Sequence, residues 1–289
     1  MATLKSNYST AELAQALEIS PSGFDGHLQK PQRPRRERDR QLSALINPIF
    51  KASRQTYGSP RLTHALRNMG QRCGKNRVSR LMRENRIKPV QKRRFRPRTT
   101  DSRHTLPIAE NHLAKAAKPQ GPNQVWQSDI TYIPIFKSFV YLSTTLDAFS
   151  RKVVGWELKE HMESSLVTET ISKACRQRKP VKGLLHHSDR GVQYASHAFQ
   201  RTLQTHGLQP SMSRKGNCYD NALAESFFAT LKTECFSLKK PNTPTEARLM
   251  IFDYIETFYN RKRRHGALGY ISPKTYLDNY FLNLNPSLN

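Results

Sequence analysis

The chain has 289 residues, of which 48 are lysine or arginine and 22 are aspartate or glutamate, so its formal net charge is +26. This excess favours a polyanionic partner, most simply nucleic acid, although a merely solubilised basic protein would carry the same charge. Hydrophobic residues make up 36% of the chain, which predicts two or three small domains with linkers rather than one globule. No apolar run approaches a membrane span and no signal peptide is recognisable, so a membrane protein is excluded and the expected location is cytoplasmic.

The four cysteines, Cys73, Cys175, Cys218 and Cys235, show no CxxC spacing. We therefore expect reduced thiols. A zinc site is not expected, because paired ligands at short spacing are missing.

Residues 1–40 are expected to form a short helical segment followed by a basic linker. Ser9 and Glu12 have the spacing of a capping box, which predicts a helix beginning there. This segment suits either a vestigial helix-turn-helix or a packing hairpin. Residues 30–40 are rich in arginine and contain prolines, so they are interpreted as the linker.

Residues 41–88 are predicted to be an all-α, helix-turn-helix-like DNA-binding domain. Pro60 is typical of a first helical turn, and Gly70 is expected to end that helix. A short amphipathic helix over 76–83 should then place its apolar residues inward. Its arginines would face DNA, unless the unit is only a spacer with a solvated face. These arginines are Arg77, Arg80 and Arg83.

Residues 89–122 show no periodicity and are predicted to be a basic arm or linker. Arg93, Arg94 and Arg96 are candidate contacts to phosphates or the minor groove. A flexible, solvated linker is the other interpretation of this composition. The sequence Lys-Pro-Gln-Gly-Pro at 118–122 predicts a domain boundary.

The composition changes at Asn123, where strands begin. Strands are predicted over 124–133, 139–147, 152–158, 183–189 and 208–213, with helices over 164–176 and 196–205. Three consecutive strands followed by alternating helices and strands predict an α/β domain over 123–235. Its mixed five-stranded sheet would carry helices on its faces.

A further helix is predicted to begin near Asp220, a residue type that favours the N-cap. Asn221, Glu225 and Lys232 are four and seven residues apart, which places them along one line of that helix. This row of an amide, a carboxylate and an ammonium lies beside the helix's apolar face.

Two further carboxylates are predicted at strands: Asp129 within the first and Asp189 at the end of the fourth. Sites in α/β sheets form at strand ends. Together with Glu225, these acids would supply oxygen ligands for two Mg²⁺ or Mn²⁺ ions and act on phosphodiesters. Each acid alone would more often be a cap or a surface charge.

Four segments in this order resemble the integrase core of IS3-family bacterial insertion-sequence transposases of the OrfB type. They are Trp126–Tyr132, Asp147–Trp156, His187–Tyr194 and Asp220–Phe228. The acids are separated by 59 and 35 residues, the D,D(35)E pattern of that family. Similarity extends over roughly residues 41–280 and includes segments around Tyr57–Arg61 and Tyr259–His265.

The resemblance implies an RNase H-like fold and Mg²⁺-dependent DNA cleavage and strand transfer by a DDE transposase. Asp129, Asp189 and Glu225 would be the metal ligands, and Lys232 would contact DNA. His187, Arg190 and Asn221 would orient phosphate or a ligand carboxylate, with purely structural roles as the alternative.

The partner implied is double-stranded DNA, bound by a homo-oligomer because two DNA ends must be joined. The chain lacks leucine heptads, which in this family are supplied by the OrfA product. The resemblance therefore implies either that the chain is the OrfB half of a frameshifted fusion or that it acts with an OrfA-type partner carrying a leucine zipper. When bound to DNA, the protein would associate with the bacterial nucleoid.

Residues 236–289 are predicted to be a small helical, basic C-terminal region. A helix over 245–259 precedes a basic cluster that is a candidate phosphate contact or else a solvated helix end. The cluster includes Arg261, Arg263 and Arg264.

Two other functions fit the sequence less well. One is a metal-dependent nuclease without strand transfer, and the other is a DNA-binding regulator with a decayed core.

Overall fold

The computed structural model describes residues 8–18, 20–22, 34–90, 105–214 and 221–284. The chain divides into two compact units, Met1–Lys88 and Pro89–Asn289. Residues 236–289, predicted as a region of their own, belong to the same compact unit as the α/β domain predicted over 123–235. Within the described residues, no helix is long and apolar enough to cross a membrane.

The first unit is helical, as predicted. Ser9 caps its first helix through the predicted reciprocal bonds with Glu12. Three longer helices then pack around buried side chains that include Leu42, Ile46 and Leu66. Among the described residues of this unit, the helices with defined bounds are α1 (Thr10–Ala16), α2 (Pro34–Ala52), α3 (Ser59–Asn68) and α4 (Lys75–Glu84).

The predicted linker over 30–40 is wrong from Pro34 onward, because these residues form the first turns of α2. Arginine and glutamate favour helix, and proline is tolerated in a first turn. Asp39 further anchors this turn by accepting hydrogen bonds from Arg77 and Arg80 of α4, each at 2.7 Å. These contacts join residues far apart in the sequence, so the composition of residues 30–40 gave no indication of them.

The second unit contains the predicted mixed five-stranded sheet. Its strands are β1 (Val125–Pro134), β2 (Phe139–Asp147), β3 (Val153–Lys159), β4 (Leu185–Ser188) and β5 (Gln209–Met212). They lie in the order β3-β2-β1-β4-β5, antiparallel from β3 to β1 and parallel from β1 to β5. The expected RNase H-like α/β architecture is confirmed.

Helices α5 (Ser164–Arg178), α6 (Val192–Ala195) and α7 (His197–Thr205) follow β3 and β4. Their apolar residues share a core with Trp126, which is fully buried. Gly155 of β3 permits a very close approach of α5, because a Cβ atom there would lie 2.7 Å from the carbonyl oxygen of Thr170. The short α6 was not predicted, since it is a single turn.

Helix α8 (Ala222–Phe236) packs against β1 and β2. After it come α9 (Pro244–Phe252), a π-helix (Asp253–Tyr259), and α10 (Pro273–Leu284). The predicted helix over 245–259 therefore changes from α to π geometry midway. Helix α10 was not predicted.

The C-terminal segment lies along β3, an edge strand of the sheet. The Asn260 amide accepts from the backbone N–H of Val153 and donates to its carbonyl, both at 3.0 Å. Trp156 and Glu157 of β3 also bond to this segment, through Glu256 and Arg248. The edge of the sheet is thus joined to the region that follows α8.

Candidate active site

Asp129 of β1 and Asp189, the residue that follows β4, occupy equivalent positions in the register of these two parallel strands. The register of β1 and β4 runs from Val125 opposite Leu185 to Gln127 opposite His187, where the pairing ends. Each aspartate lies two residues beyond this last pair. The strands part there, and both residues line the cleft that opens between them. Asp189 follows the carboxyl end of β4, the usual position for an α/β site, whereas Asp129 lies in the middle of β1, where its pairing with β4 has ended.

Local backbone bonds fix both carboxylates. Asp129 accepts the N–H of Ile130 at 2.8 Å, and Asp189 accepts the N–H of Gly191 at 2.9 Å. A Cβ atom on Gly191 would stand 3.1 Å from the Asp189 Oδ1 atom. Glycine therefore suits the tight turn that follows this aspartate.

Helix α8 brings Glu225 and Lys232 into the electrostatic environment of Asp129. Burial raises the pKa of Asp129 well above its ordinary range, and the charges of Asp189 and Glu225 raise it further. The Ile130 N–H and the Lys232 ammonium act in the opposite direction. Three acids and one lysine therefore influence one another, although Glu225 itself is exposed.

Lys232 stacks on an aromatic ring at this site. Its ammonium lies 4.4 Å from the centroid of the Tyr132 ring, within cation–π range. Burial lowers the pKa of Lys232, while the negative charge of Asp129 opposes that shift. The lysine thus stands beside the acids and is held by β1.

The chemistry of these side chains fits a hard divalent cation. All three acids supply oxygen donors, and a cation would relieve the repulsion that raises the pKa of Asp129. Asn221, one helical turn before Glu225, adds a buried Oδ1 atom that has no hydrogen-bond partner among the described residues, which leave out the six residues before it. Among the described residues, however, no three His, Cys, Asp or Glu side chains are grouped closely enough to hold a metal ion, so the three acids would have to move together to bind one.

His187 and Arg190 connect β4 to β5. The fully buried His187 ring bonds to the hydroxyls of Ser211 and Ser213, at 2.9 and 3.0 Å. Arg190 donates through Nε to the carbonyl of Ser213 at 2.6 Å. These contacts hold the strand end from which Asp189 projects.

Sequence reasoning missed a second polar chain behind the acids. Ser128 Oγ bonds to His186 Nε2 at 2.7 Å and to Thr145 Oγ1 at 2.8 Å, linking three strands. The buried hydroxyl of Tyr194 lies close enough to Asp129 and Asp189 for their charges to raise its pKa, after burial itself. Tyr194 belongs to a segment that carries the family resemblance, but its role had no separate sequence signal.

The arginines predicted to contact DNA fall into two groups, those exposed to solvent and those buried or half-buried with a partner inside the protein. Arg83 and Arg261 are exposed, whereas Arg264 is half-buried and donates to the carbonyl of Tyr270 at 2.9 Å. Arg263 is only 4% exposed and is bound to Glu234, so it is unsuited to a phosphate contact. Arg77 and Arg80, predicted to point outward, are half-buried and paired with Asp39.

Some predicted residues lie outside the described part of the chain. They are Arg93, Arg94 and Arg96 of the basic arm and the predicted N-cap Asp220. The N-cap of α8 in the structure is Asn221.

Family models match most of the chain. Residues 37–95 match an HTH-like domain, and residues 119–218 and 206–273 match integrase core domains. The chain is 40% identical over 268 residues to "Insertion element IS600 uncharacterized 31 kDa protein" of Shigella sonnei, covering 93% of this chain and 98% of that one. It is 35% identical over 274 residues to "Transposase InsF for insertion sequence IS3A" of Escherichia coli K12, covering 94% and 95%.

The chain belongs to the IS3-family insertion-sequence transposases. Another relative in this family is the transposase for insertion sequence element IS904 of Lactococcus lactis, 40% identical over 81% of this chain and 92% of that one. The family resemblance predicted from the four ordered segments is confirmed.

The IS3-family chain also has a distant likeness to retroviral integrases of known structure. The catalytic core of HTLV-2 integrase in complex with magnesium is 19% identical, with a TM-score of 0.43, covering 54% of this chain and 97% of that one.

Proposed function

We propose that this chain is a DDE transposase that cleaves DNA at the 3′ end of an insertion sequence and transfers that end to a new phosphodiester. The observation that carries the proposal is the matched position of Asp129 and Asp189 beyond the last paired residues of β1 and β4. Glu225 of α8 lies near enough for its charge to raise the pKa of Asp129. Membership in a transposase family supports this assignment.

Asp129, Asp189 and Glu225 would hold two Mg²⁺ or Mn²⁺ ions, with Asn221 available as a further oxygen donor. When bound, such ions activate the attacking oxygen and stabilise the leaving oxygen of the phosphodiester. The carboxylates need no proton-transfer role of their own in this scheme.

Lys232 would place its ammonium against a phosphate of the reacting strand. Stacking on Tyr132 restricts the lysine side chain before DNA binds, which reduces the entropy lost on contact. His187 and Arg190 act as positioning residues, because they bind β5 and fix the strand end that carries Asp189.

Reaction at two DNA ends requires more than one active site, so we infer a homo-oligomer on double-stranded DNA. The helix-turn-helix-like unit, the basic arm and Arg261 would add affinity through phosphates. The proposal includes an OrfA-type partner with a leucine zipper. It also includes a cytoplasmic location, with association to the nucleoid while the protein is bound to DNA.

The test is a strand-transfer assay with a labelled duplex carrying the terminal repeat of the element, in Mg²⁺ or Mn²⁺. Glu225→Gln should remove cleavage and joining while leaving DNA binding intact. Glu160→Gln is the matched control, because Glu160 is exposed and lies outside the cleft.

Other outcomes separate the alternatives. Cleavage without joining, even when an OrfA-type partner is added, would indicate a nuclease. DNA binding without metal-dependent chemistry, unchanged by Glu225→Gln, would overturn the enzymatic assignment in favour of a regulator.

A further inference from the structure

The cleft that contains Asp129 and Asp189 continues into an apolar, largely aromatic hollow. The whole cleft has a volume of about 570 Å³, which is in the range of clefts that accept small ligands. Phosphodiester chemistry at the acids has no need of such a wall. The apolar residues of this hollow, called here the aromatic wall, are Tyr132, Pro134, Phe139, Tyr141, Met162 and Val192.

The aromatic wall is exposed to an extent that suggests an occupant. Phe139 is 52% exposed, Val192 is 44% exposed and Met162 is 40% exposed. Contiguous apolar surface of this kind usually marks a binding site in a soluble protein.

The wall is also ordered before any ligand arrives. The rings of Tyr132 and Phe139 meet edge to face, with centroids 5.3 Å apart and planes at 90°. Lys232 covers the Tyr132 ring with its ammonium. Gln193 donates to the carbonyl of Met162 at 3.1 Å and so ties the segment after β3 to the turn after Asp189.

We propose that the aromatic wall binds an unpaired nucleobase of the DNA strand whose phosphodiester lies at Asp129 and Asp189. This inference rests on the proposed transposase function. A base is joined to its own phosphate by a single sugar, so a phosphate at the acids brings the flanking base to the adjoining wall. Every base has a π-face that stacks on aromatic side chains, independently of sequence.

Charge favours a nucleotide over a purely apolar ligand. The aromatic wall adjoins Lys232, and the whole chain carries a net charge of +26. A hydrophobic peptide segment would cover the wall but would add no negative charge beside the Lys232 ammonium, whose neighbouring acid is Asp129. A nucleotide satisfies both, because its base stacks and its phosphate pairs with the cation.

Stacking on the wall would offset the cost of removing the base from the duplex. That cost is lowest where a base pair is already weakened, as at a frayed or mismatched end. The site would therefore help to separate the strands at the point of cleavage.

The experiment measures equilibrium binding in a Glu225→Gln background, so that no cleavage intervenes. The probes are a terminal-repeat duplex and matched duplexes that each lack one base beside the scissile phosphate. Phe139→Ala removes the stacking ring. Phe136→Ala is the matched control, because Phe136 is 75% exposed near the same hairpin but does not line the cleft.

We expect Phe139→Ala to weaken binding of the intact duplex about tenfold, the order of loss found when a base-stacking aromatic is removed. It should have no effect on the duplex that lacks the stacked base. Phe139→Tyr should restore binding of the intact duplex, since it keeps the π-face. Phe136→Ala should weaken all duplexes equally or not at all.

Two results would overturn the base site. One is an equal loss with Phe139→Ala on intact and base-free duplexes, and the other is a loss no larger than that of Phe136→Ala. This binding test is independent of catalysis. If Phe139→Ala weakens only the intact duplex but the parent protein never cleaves DNA, the base site stands and the transposase proposal fails. If the parent protein cleaves DNA but Phe139→Ala weakens both duplexes equally, the base site fails and the transposase proposal stands.

Discussion

Arg263 and Glu234 form a two-point ion pair inside the protein. The arginine Nε and Nη2 atoms lie 2.6 and 2.7 Å from the two carboxylate oxygens, and the Tyr254 hydroxyl donates to the same carboxylate at 2.8 Å. Glu234 belongs to α8, the helix of Glu225, whereas Arg263 follows the π-helix. The pair therefore holds the helix of the third acid against the C-terminal segment.

Loss of one member of this pair should be costly. Arg263→Met is expected to lower the free energy of unfolding by about 3–5 kcal/mol, because it leaves the Glu234 carboxylate buried and uncompensated. Urea denaturation measures the change. The double variant Arg263→Met with Glu234→Leu should recover much of the loss, and Arg261→Met, at an exposed position, should change little. A single variant as stable as the parent would contradict a structural role for the pair.

The exposed arginines should control the salt dependence of DNA binding. Arg261→Ala or Arg83→Ala should each reduce the slope of log K against log salt by about 0.9, the value for one lost phosphate contact. The measurement is equilibrium binding to the element's end over a range of salt concentrations. Arg80→Ala is the comparison, since Arg80 is paired with Asp39 and Glu84. Equal slope changes for Arg80 and Arg83 would show that the Asp39 pair opens on DNA.

His186 should make the fold sensitive to acid. Burial, with a smaller contribution from His187, lowers the pKa of His186 to about 3, below the value of about 6.5 for an unfolded histidine. The unfolded chain then binds the extra proton, so stability is complete above about pH 6.5 and falls below it by up to about 1.4 kcal/mol per pH unit.

Urea denaturation between pH 7 and pH 5 tests this linkage. His186→Asn, which does not titrate there, should flatten the pH dependence of the unfolding free energy. His197→Asn, at an exposed histidine, should leave the dependence unchanged. An unaltered slope in His186→Asn would assign the acid sensitivity to other groups.

Gly155→Ala should destabilise the sheet where α5 crosses β3. The new methyl group would lie 2.7 Å from the Thr170 carbonyl and 2.8 Å from the Ala174 Cβ, so strand and helix must separate. Overpacking of this kind costs about 1–3 kcal/mol. Thermal or urea unfolding measures it, with Gly266→Ala as the control, because a Cβ atom there has no neighbour closer than 3.8 Å. Equal unfolding free energies for the two variants would show that α5 can move away from β3 without loss of stability.

The strand segments, the mixed five-stranded sheet and the family were predictable from the sequence, since they depend on local patterns, whereas the order of the strands in the sheet was not predicted. β2 was predicted to the residue, because its apolar run is bounded by turn residues on both sides. The fate of individual arginines was not predictable. Arg263 sits in a run of four basic residues, and only its distant partner Glu234 distinguishes it from Arg261. The helix over 34–40 was missed for the same reason, since Asp39 is stabilised from α4.

The acids of the site were predicted from their spacing and from family resemblance, but the cleft beside them was not. The aromatic wall combines residues from β1, β2, the segment after β3 and helix α6. Each looks in sequence like an ordinary strand or loop residue. Only the parting of β1 and β4 places them around one hollow.

The amide of Asn260 has a consequence for behaviour in solution. It satisfies the N–H and the carbonyl of Val153 as a neighbouring strand would, on the side of β3 that has no strand beside it. An open edge of this kind is a template on which a second molecule adds its own strand. The Asn260 side chain already occupies the backbone groups of Val153, so a strand from a second molecule could not pair with β3 at its first residue without displacing this amide.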